Sequence, residues 1–447
     1  MCAAVTGHFP PGPPSSLLQN LFGPFRRDPL AFFSGLARDY GDVAGLRIFT
    51  FKTMFINHPD SIEDVLVTNA RKFHKGRVLK ANKRLFGEGL LTSEGEAWLR
   101  QRRLAQPAFH RARIAAYAGT MVEYAEQAAA AWSRGEERDI HAEMMQLTLR
   151  VVGKTLFDSD VANDAREVGE TLEILLKLAA NFGRTILVPL WVPTPRNVRA
   201  ELGIRRLEKI IYRIIAERRA TGRDAGDLLS TMRAAQDEDG SRMTDRQLRD
   251  ETITLFLAGH ETTANALAWT WWLLAQNPRV EKKFHDELDA VLAGHPPSLD
   301  ELQKLGYLNN VLNESLRLYP PAWGIARLTA EDHELAGYPL RPGMGVAFAQ
   351  WVVHRDPRWF DAPEEFRPER WERGLAKQLP RFAYFPFGGG PRQCIGNAFA
   401  LMEAALILAT IGQKFRFRLV PGHRVTPLAS ITLRPRHGIR VTLEPRS

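Results

Sequence analysis

The chain has 447 residues, of which 45% are hydrophobic and 25% charged, and its only cysteines are Cys2 and Cys394. This composition is typical of a globular protein and excludes a collagen-like, disordered or disulfide-stapled chain, while two cysteines exclude a four-cysteine zinc site. The formal net charge is +9, but no zinc-finger spacing or RNA-binding motif accompanies it, so we expect a solvated basic surface and no nucleic-acid partner.

The N-terminal region is rich in proline and lacks the basic and apolar segments of a signal peptide. We therefore expect residues 1–39 to form an irregular arm. The longest apolar stretches fall short of the ~20 residues that a membrane span requires. These features predict a cytoplasmic protein without a transmembrane anchor.

Two short strands are predicted next, at residues 43–50 and 52–57, followed by a helix over residues 60–69. From about residue 96 to residue 275 the hydrophobic periodicity is helical almost throughout. This pattern indicates that helices form the body of the protein.

One predicted helix is much longer than the others. Thr244 and Gln247 form a capping box, and no proline interrupts the pattern before Pro278. At a rise of 1.5 Å per residue, such a helix would be about 50 Å long, enough to cross a domain.

A second capping box, formed by Ser298 and Glu301, begins a helical run that is predicted to end at Tyr319. Strands are predicted after this run, over residues 334–340 and 346–353. The order of elements therefore changes from helices to strands in the last third of the chain.

The chain is predicted to close with a hairpin over residues 432–443 that turns at His437 and Gly438. No internal repeat and no flexible linker divides the sequence. Residues 40–447 therefore predict a single large α+β domain, mainly α, with small antiparallel sheets.

The segment with the clearest chemistry surrounds Cys394, in the stretch FPFGGGPRQCIG over residues 385–396. Glycines let backbone N–H groups approach the sulfur, and a helix beginning near Gly396 would direct its positive end toward it. Both effects favour a thiolate, which acts as a nucleophile or as a metal ligand. The nearest partner side chain is the cation Arg392 rather than a histidine base, and a buried structural cysteine is the third alternative.

This loop resembles the haem-binding signature of the cytochrome P450 superfamily, in which five residues recur in a fixed order. They are Phe387, Gly390, Arg392, Cys394 and Gly396. By this resemblance Cys394 would be the proximal thiolate ligand of haem b (iron protoporphyrin IX), and Arg392 would pair with a haem propionate. The implied fold holds the haem between a long central helix and the cysteine-bearing loop and helix.

The middle of the long predicted helix carries the sequence AGHETT, residues 258–263. A glycine and a polar cluster among apolar flanks lower helix stability, which suggests a role other than a surface stripe. The segment resembles the oxygen-binding groove of the same family. By position, Ala258 and Gly259 would leave room for dioxygen. Thr262 would hydrogen-bond the dioxygen, and Glu261 would help to relay protons.

Glu314 and Arg317 lie three residues apart, a spacing that by itself is usually incidental on a helix. Together with Arg370, in the downstream stretch FRPERW, they resemble a second element of the family. The resemblance implies that the three residues form a buried structural network behind the haem.

Further basic and aromatic residues resemble the family's propionate-binding positions, namely Trp98, Arg102 and Arg327. The alternatives are a tryptophan at the rim of the core and solvated arginines. The same early helix would also present a landing surface for an acidic ferredoxin or flavodoxin, unless it is merely a solvated face. The basic residues along this part of the chain are Arg100, Arg102, Arg103, Arg111 and Arg113.

The resemblance implies a monooxygenase that inserts one oxygen atom from O2 into a C–H bond, by hydroxylation or epoxidation, and releases the other as water. Electrons would come from NAD(P)H indirectly, through ferredoxin or flavodoxin and a reductase. The substrate would be apolar, such as a fatty acid, terpenoid or steroid, because the candidate pocket residues are mostly apolar. These candidates are Phe182, Leu187, Phe256, Ala322, Trp323, Ile325, Leu428 and Ile431.

The sequence leaves two alternative functions open. The first is a peroxide-driven peroxygenase, against which the pair Glu261 and Thr262 argues. The second is a haem-binding sensor without enzymatic activity, although the sequence carries no recognisable sensor or DNA-binding module.

Overall fold

The structure, a computed structural model, describes residues 9–16, 23–48, 50–77, 79, 87–158, 192–221, 227–236, 240 and 242–446. Most of these residues lie in helices. The helices are α1 (Pro24–Arg27), α2 (Pro29–Tyr40), α3 (Pro59–Glu63), α4 (Gly95–Ala105), α5 (Arg111–Ala116), α6 (Ala118–Ala130), α7 (Ile140–Phe157), α8 (Pro195–Thr221), α9 (Leu228–Ala234), α10 (Asp245–Gln276), α11 (Pro278–Leu292), α12 (Leu299–Leu302), α13 (Gly306–Leu318), α14 (Gln350–Val353), α15 (Leu375–Gln378) and α16 (Asn397–Lys414).

The strands are short and form small sheets. They are β1 (Val43–Ile48), β2 (Phe51–Ile56), β3 (Phe73–Lys75), β4 (Glu137–Asp139), β5 (Ile325–Thr329), β6 (His333–Leu335), β7 (Tyr338–Leu340), β8 (Gly345–Phe348), β9 (Phe415–Leu419), β10 (Pro427–Ala429), β11 (Leu433–Pro435) and β12 (Arg440–Pro445). The predicted α+β class, mainly α, is confirmed.

The chain forms two compact units, and each is made of segments that are distant in sequence. The first comprises Met1–Lys80, Leu316–Glu365 and Arg373–Cys394, and the second comprises Ala81–Ser315, Phe366–Glu372 and Ile395–Ser447. No helix among the residues described above is long and apolar enough to cross a membrane.

The first unit is built on a five-stranded sheet with the order β1-β2-β8-β5-β3. The pairing of β2 with β8 is parallel and the other pairings are antiparallel. This sheet is therefore mixed, whereas the prediction was of antiparallel sheets. One apolar cluster of this unit includes Met54, Phe348 and Phe385, which are almost completely buried. The base of the cysteine loop is therefore fixed in a packed core.

The second unit is organised around α10, which spans 32 residues. The predicted capping box is present, because Thr244 accepts a hydrogen bond from the Gln247 N–H and the Gln247 side chain accepts one from the Thr244 N–H. Helix α10 packs against α7 and α16, and nearly all of its residues from Leu248 to Leu274 are buried. The predicted long helix is confirmed.

The N-terminal arm is not irregular throughout, because residues 24–40 form α1 and α2. The Asp28 side chain accepts a hydrogen bond from the Ala31 N–H, and Pro29 occupies the first turn of α2, where its missing N–H costs nothing. Phe33 and Leu36 then bury one face of the helix. The prolines of this region thus begin helices as well as interrupt them.

The strand predicted over residues 346–353 was wrong in its second half. Strand β8 ends at Phe348, and the N–H groups of Val352 and Val353 bond the Ala349 carbonyl in the turn of α14. A short, wholly buried apolar run does not distinguish a strand from a helical turn. The strand predicted over 334–340 is likewise two short strands, β6 and β7, that pair with each other.

The predicted hairpin over residues 432–443 was also wrong. Strand β11 pairs with the preceding strand β10, whereas β12 pairs with β4 and β9. His437 and Gly438 therefore connect two different sheets. The helix predicted to run from Ser298 to Tyr319 is also divided, into α12 and α13, with a break at residues 303–305.

Candidate active site

The cysteine loop of the first unit depends on glycines at two positions. Gly388 and Gly390 have φ of 70° and 67°, which side-chain-bearing residues rarely adopt. A Cβ on Gly390 would collide with the Leu66 carbonyl oxygen. The loop closes where the Cys394 N–H donates to the Phe387 carbonyl at 3.0 Å, and Cys394 itself is exposed.

The beginning of this loop is fixed by a histidine that the sequence did not single out. The Phe385 N–H donates to Nε2 of His354 at 3.0 Å, and the His354 ring is fully buried. Burial, together with the charges of Arg317 and Arg355, holds the pKa of His354 well below its usual value. The imidazole therefore stays neutral and keeps the lone pair that accepts this bond.

Arg317 belongs to the first unit and Glu314 to the second, and each has buried partners within its own unit. In the first unit, the Arg317 guanidinium donates to the carbonyls of His354, Pro363 and Glu365 at 2.6–3.1 Å. Arg317 is completely buried. This arginine thus holds together the backbone of the segment that carries His354.

In the second unit, Glu314 is the acceptor for several donors of the FRPERW segment. Its carboxylate accepts from Arg370 Nε at 2.8 Å, from Trp371 Nε1 at 2.9 Å and from the Arg367 N–H at 3.0 Å. Glu314 is completely buried and the Arg370 side chain is 4% exposed. The charges of Glu314 and Arg370 are therefore stabilised by their partners in the protein instead of by water.

The AGHETT segment lies in the middle of α10, in the second unit. Ala258 is exposed and Thr262 is half-buried, although neighbouring Leu257 and Glu261 are buried. The Thr262 hydroxyl donates to the Ala258 carbonyl at 2.6 Å. Gly259 faces α7, where an added Cβ would lie 3.1 Å from Val152, so this glycine permits close packing of two helices.

Glu261 is 3% exposed and accepts a hydrogen bond from the Thr432 hydroxyl at 2.7 Å. Burial raises the pKa of Glu261, and the Thr432 hydrogen bond and the charge of Arg434 partly oppose this rise. Neighbouring His260 is completely buried, which lowers its pKa to about 4. A carboxyl group and a neutral imidazole are thus buried side by side in α10.

Helix α4 borders an open pocket of about 750 Å³ in the second unit. Three arginines contribute to its lining, and the lining residues are Leu99, Arg102, Arg103, Gln106, Pro107, His110 and Arg113. Arg102 Nε donates to the Gln106 amide oxygen at 3.3 Å. Trp98 is half-buried on the same helix.

The remaining predicted site residues have varied environments. Arg327 lies in β5 and donates to the Ala326 carbonyl at 3.1 Å. Phe256 is buried and stacks on Phe157 with ring centroids 4.4 Å apart, so it belongs to the core of the second unit. Phe182 and Leu187 lie outside the described residues. The half-buried candidates are Ala322, Trp323 and Ile325 in the first unit and Leu428 and Ile431 in the second.

A haem held by a cysteine requires an accessible sulfur and an uncovered protein face. The exposed Cys394 of the first unit meets the first requirement. Within the second unit by itself, the turn of α10 at Ala258 is also uncovered. The exposed sulfur of Cys394 is thus suited to bind a haem iron.

Comparison with known proteins identifies the family. The family model described as Cytochrome P450 matches residues 10–442. The chain is 41% identical to cyclooctatin synthase from Streptomyces melanosporofaciens, with 94% of this chain and 92% of the relative covered. It is 39% identical to cyclooctat-9-en-7-ol 5-monooxygenase from the same organism, with 89% and 86% covered.

A further relative is pentalenene oxygenase from Streptomyces avermitilis, which is 35% identical with 94% of each chain covered. The match thus extends over nearly the whole chain and includes both the cysteine loop and the AGHETT helix. The chain belongs to the cytochrome P450 family, and it is a haem-dependent monooxygenase that acts on small apolar molecules with O2.

Proposed function

We propose that this protein hydroxylates or epoxidises a cyclic terpenoid. The observation that carries this proposal is the similarity to two oxygenases that are named for pentalenene and for cyclooctat-9-en-7-ol, at 35% and 39% identity. The substrates that these names indicate are apolar and carry no carboxylate, so they suit an apolar pocket better than a pocket that anchors a carboxylate. An apolar pocket thus favours a terpenoid over a fatty acid, and the names of the relatives favour it over a steroid.

Cys394 is the residue proposed to hold the haem iron, through its thiolate. Its exposed position and the tight turn before it, which glycines at 388 and 390 allow, support this role. Arg392, Arg327 and Arg102 are the proposed partners of the haem propionates, and Trp98 lies one turn before Arg102 on α4. When bound, the haem supplies the O2 chemistry that amino-acid side chains lack.

Thr262 and Glu261 are the proposed proton-handling pair. The Thr262 hydroxyl is half-buried at the uncovered turn of α10, where it can exchange its bond to the Ala258 carbonyl for one to a ligand. Glu261 is buried, and burial raises its pKa, which makes the carboxyl a better proton acceptor than an exposed one. Thr262 is thus proposed to orient and donate a hydrogen bond, while Glu261 is proposed to take up a proton and pass it on.

A small acidic ferredoxin or flavodoxin, with its reductase, is the proposed route of electrons from NAD(P)H in the cytoplasm. The support is the basic pocket beside α4 and the further arginines Arg100 and Arg111 in the same part of the chain. Complementary charge of this kind accelerates association and sets orientation. The redox partner would therefore dock through its acidic surface.

Spectroscopic titration of the purified ferric protein tests the substrate class. We expect pentalenene to shift the Soret band toward the high-spin position at micromolar concentration, because an apolar ligand displaces water from the haem pocket. Palmitic acid and testosterone are the matched comparisons. Tighter binding of either one would reject the terpenoid proposal without affecting the assignment to the family.

Turnover experiments distinguish the two alternative functions. Product formation with NADPH, a ferredoxin and its reductase, but not with hydrogen peroxide alone, would reject a peroxygenase. The same product would reject a sensor without enzymatic activity.

A further inference from the structure

Glu261 lies at the end of three consecutive hydrogen bonds within the second unit. His141 Nε2 is 2.9 Å from the Asn265 amide oxygen. The Asn265 amide nitrogen donates to the Thr432 hydroxyl oxygen at 3.3 Å, and that hydroxyl donates to Glu261 Oε1 at 2.7 Å. We call these four residues the Glu261 chain. Three members are buried, and His141 is half-buried at the beginning of α7.

The direction of the Glu261 chain follows from the chemistry of the amide. An amide NH2 group only donates, so Thr432 cannot give its hydroxyl proton to Asn265 and directs it to Glu261. The amide oxygen only accepts, so His141 must carry a proton on Nε2. Every bond of the chain therefore points toward the carboxylate, and this arrangement stabilises its charged form.

Other titratable groups lie on α10 itself and on two elements that pack against it, α16 and β11. Arg434, in β11, lowers the pKa of Glu261 by its charge. His260 of the same helix stays neutral because of burial, and Glu403 of α16 has a pKa that burial raises well above its usual value. Neither His260 nor Glu403 supplies a positive charge. Among the described residues, Thr432 and Arg434 oppose the rise in the pKa of Glu261 that burial causes.

We propose that Thr432 is a positioning residue of the oxygenase reaction, which, supported by Asn265 and His141, orients the Glu261 carboxylate and stabilises its charged form in a buried site. This inference rests on the proposed proton-handling role of Glu261. An amide neither gains nor loses protons at neutral pH, so the Glu261 chain orients the carboxylate and does not conduct protons. Proton entry must then follow another path.

Infrared titration of the haem-loaded ferric protein tests this role without turnover. The C=O band of protonated Glu261 is assigned by its loss in Glu261→Gln, and the band of buried Glu403 serves as an internal reference. In Thr432→Val we expect Glu261 to bind its proton roughly ten- to a hundredfold more tightly, because a hydrogen bond to a charged group is lost. The pH at which half of Glu261 is protonated would rise by about one to two units.

Two variants serve as controls. Thr432→Ser restores the hydroxyl and should return the midpoint to the wild-type value. Thr410→Val removes an equally buried hydroxyl that bonds only the Leu406 carbonyl of its own helix among the described contacts, and it should leave the Glu261 midpoint unchanged.

An unchanged midpoint in Thr432→Val, or a shift that Thr432→Ser does not reverse, would overturn the proposal. If Thr432→Val folds poorly, His141→Leu tests the other end of the Glu261 chain: the midpoint should rise by a smaller amount, and no rise would contradict the proposal. The titration needs neither substrate nor redox partner. A protein that titrates as expected but forms no oxygenated product would refute the proposed function and leave the role of Thr432 intact.

Discussion

The proposed delivery of protons to bound dioxygen depends on one oxygen atom, the hydroxyl oxygen of Thr262. Thr262→Ala removes a hydroxyl that is half-buried at the uncovered turn of α10. We expect the variant to bind haem and substrate like the wild type but to divert most of its electrons to hydrogen peroxide, because oriented proton delivery is lost. Measured product and peroxide per NADPH consumed report this ratio.

Thr262→Ser is the matched control, because it keeps the hydroxyl and removes only a methyl group. We expect its ratio of product to NADPH to remain close to the wild-type value. Equal coupling in Thr262→Ala and the wild type would refute the role of this hydroxyl.

Glu314 is expected to contribute to stability rather than to catalysis. Glu314→Ala would leave the buried Arg370 guanidinium and the Trp371 N–H without their carboxylate acceptor. Removal of one member of a buried ion pair lowers the free energy of unfolding by about 3–5 kcal/mol. Urea denaturation followed by circular dichroism measures this loss.

The surface pair of Lys283 and Glu369 provides the comparison for Glu314. Lys283→Ala breaks an exposed contact of 2.7 Å, which solvent screens, so the unfolding midpoint should barely change. Similar midpoints for Glu314→Ala and Lys283→Ala would show that the buried network does not stabilise the fold.

Individual residues differ in how readily the sequence reveals them. Cys394 and Thr262 occur in segments whose composition is unusual for a loop or a helix, so the sequence alone singles them out as candidates. His354 and Thr432 have no such signal, because their partners Phe385 and Glu261 are 31 and 171 residues away in sequence. A side chain that acts through a contact distant in sequence can be identified only in the folded structure.

At the scale of elements, α4 and its neighbouring turn carry the basic surface proposed for the redox partner. Arg103 is exposed and lines the pocket. In Arg103→Glu we expect KM for the ferredoxin to rise about three- to tenfold at low salt, because steering charge is reversed. Steady-state kinetics at low and high ionic strength measure this effect, which salt should diminish.

Arg424→Glu changes the net charge equally at an exposed position outside this surface. It should leave KM for the ferredoxin nearly unchanged. Equal effects of the two variants would attribute the result to total charge and exclude a defined docking surface on α4.

Elements with complete local signals were predicted correctly, and those defined by tertiary packing were not. Helix α10 has a capping box, a long apolar pattern and a proline at its end, so its bounds followed from the sequence. The run at residues 346–353 and the pairing of β11 lacked such signals. Their structure is decided by which strand or helix packs alongside, as β10 does for β11.

At the scale of the whole molecule, buried carboxyl groups make stability depend on pH. Burial raises the pKa of Glu403 well above 4.5, so above that pH the folded protein retains a proton that the unfolded chain releases. Wild-type stability therefore declines as pH rises from 4.5 toward the folded pKa. Glu403→Gln lacks this titration and should gain about 1.4 kcal/mol per pH unit relative to the wild type in that range.

Urea unfolding of both proteins between pH 4.5 and pH 7 measures this difference. Glu126→Gln, which removes an exposed carboxylate near Lys414, should show no comparable trend. A constant difference between Glu403→Gln and the wild type across this range would mean that Glu403 is ionised in the folded protein.

The central claim for the molecule is that Cys394 binds the haem iron as a thiolate. Its most direct test is the absorption spectrum of the dithionite-reduced protein under carbon monoxide, measured beside Cys394→Ala. We expect a strongly red-shifted Soret band in the wild type that Cys394→Ala loses, because only a thiolate ligand produces that shift. A wild-type spectrum without the shifted band, or an unchanged band in Cys394→Ala, would contradict the assignment.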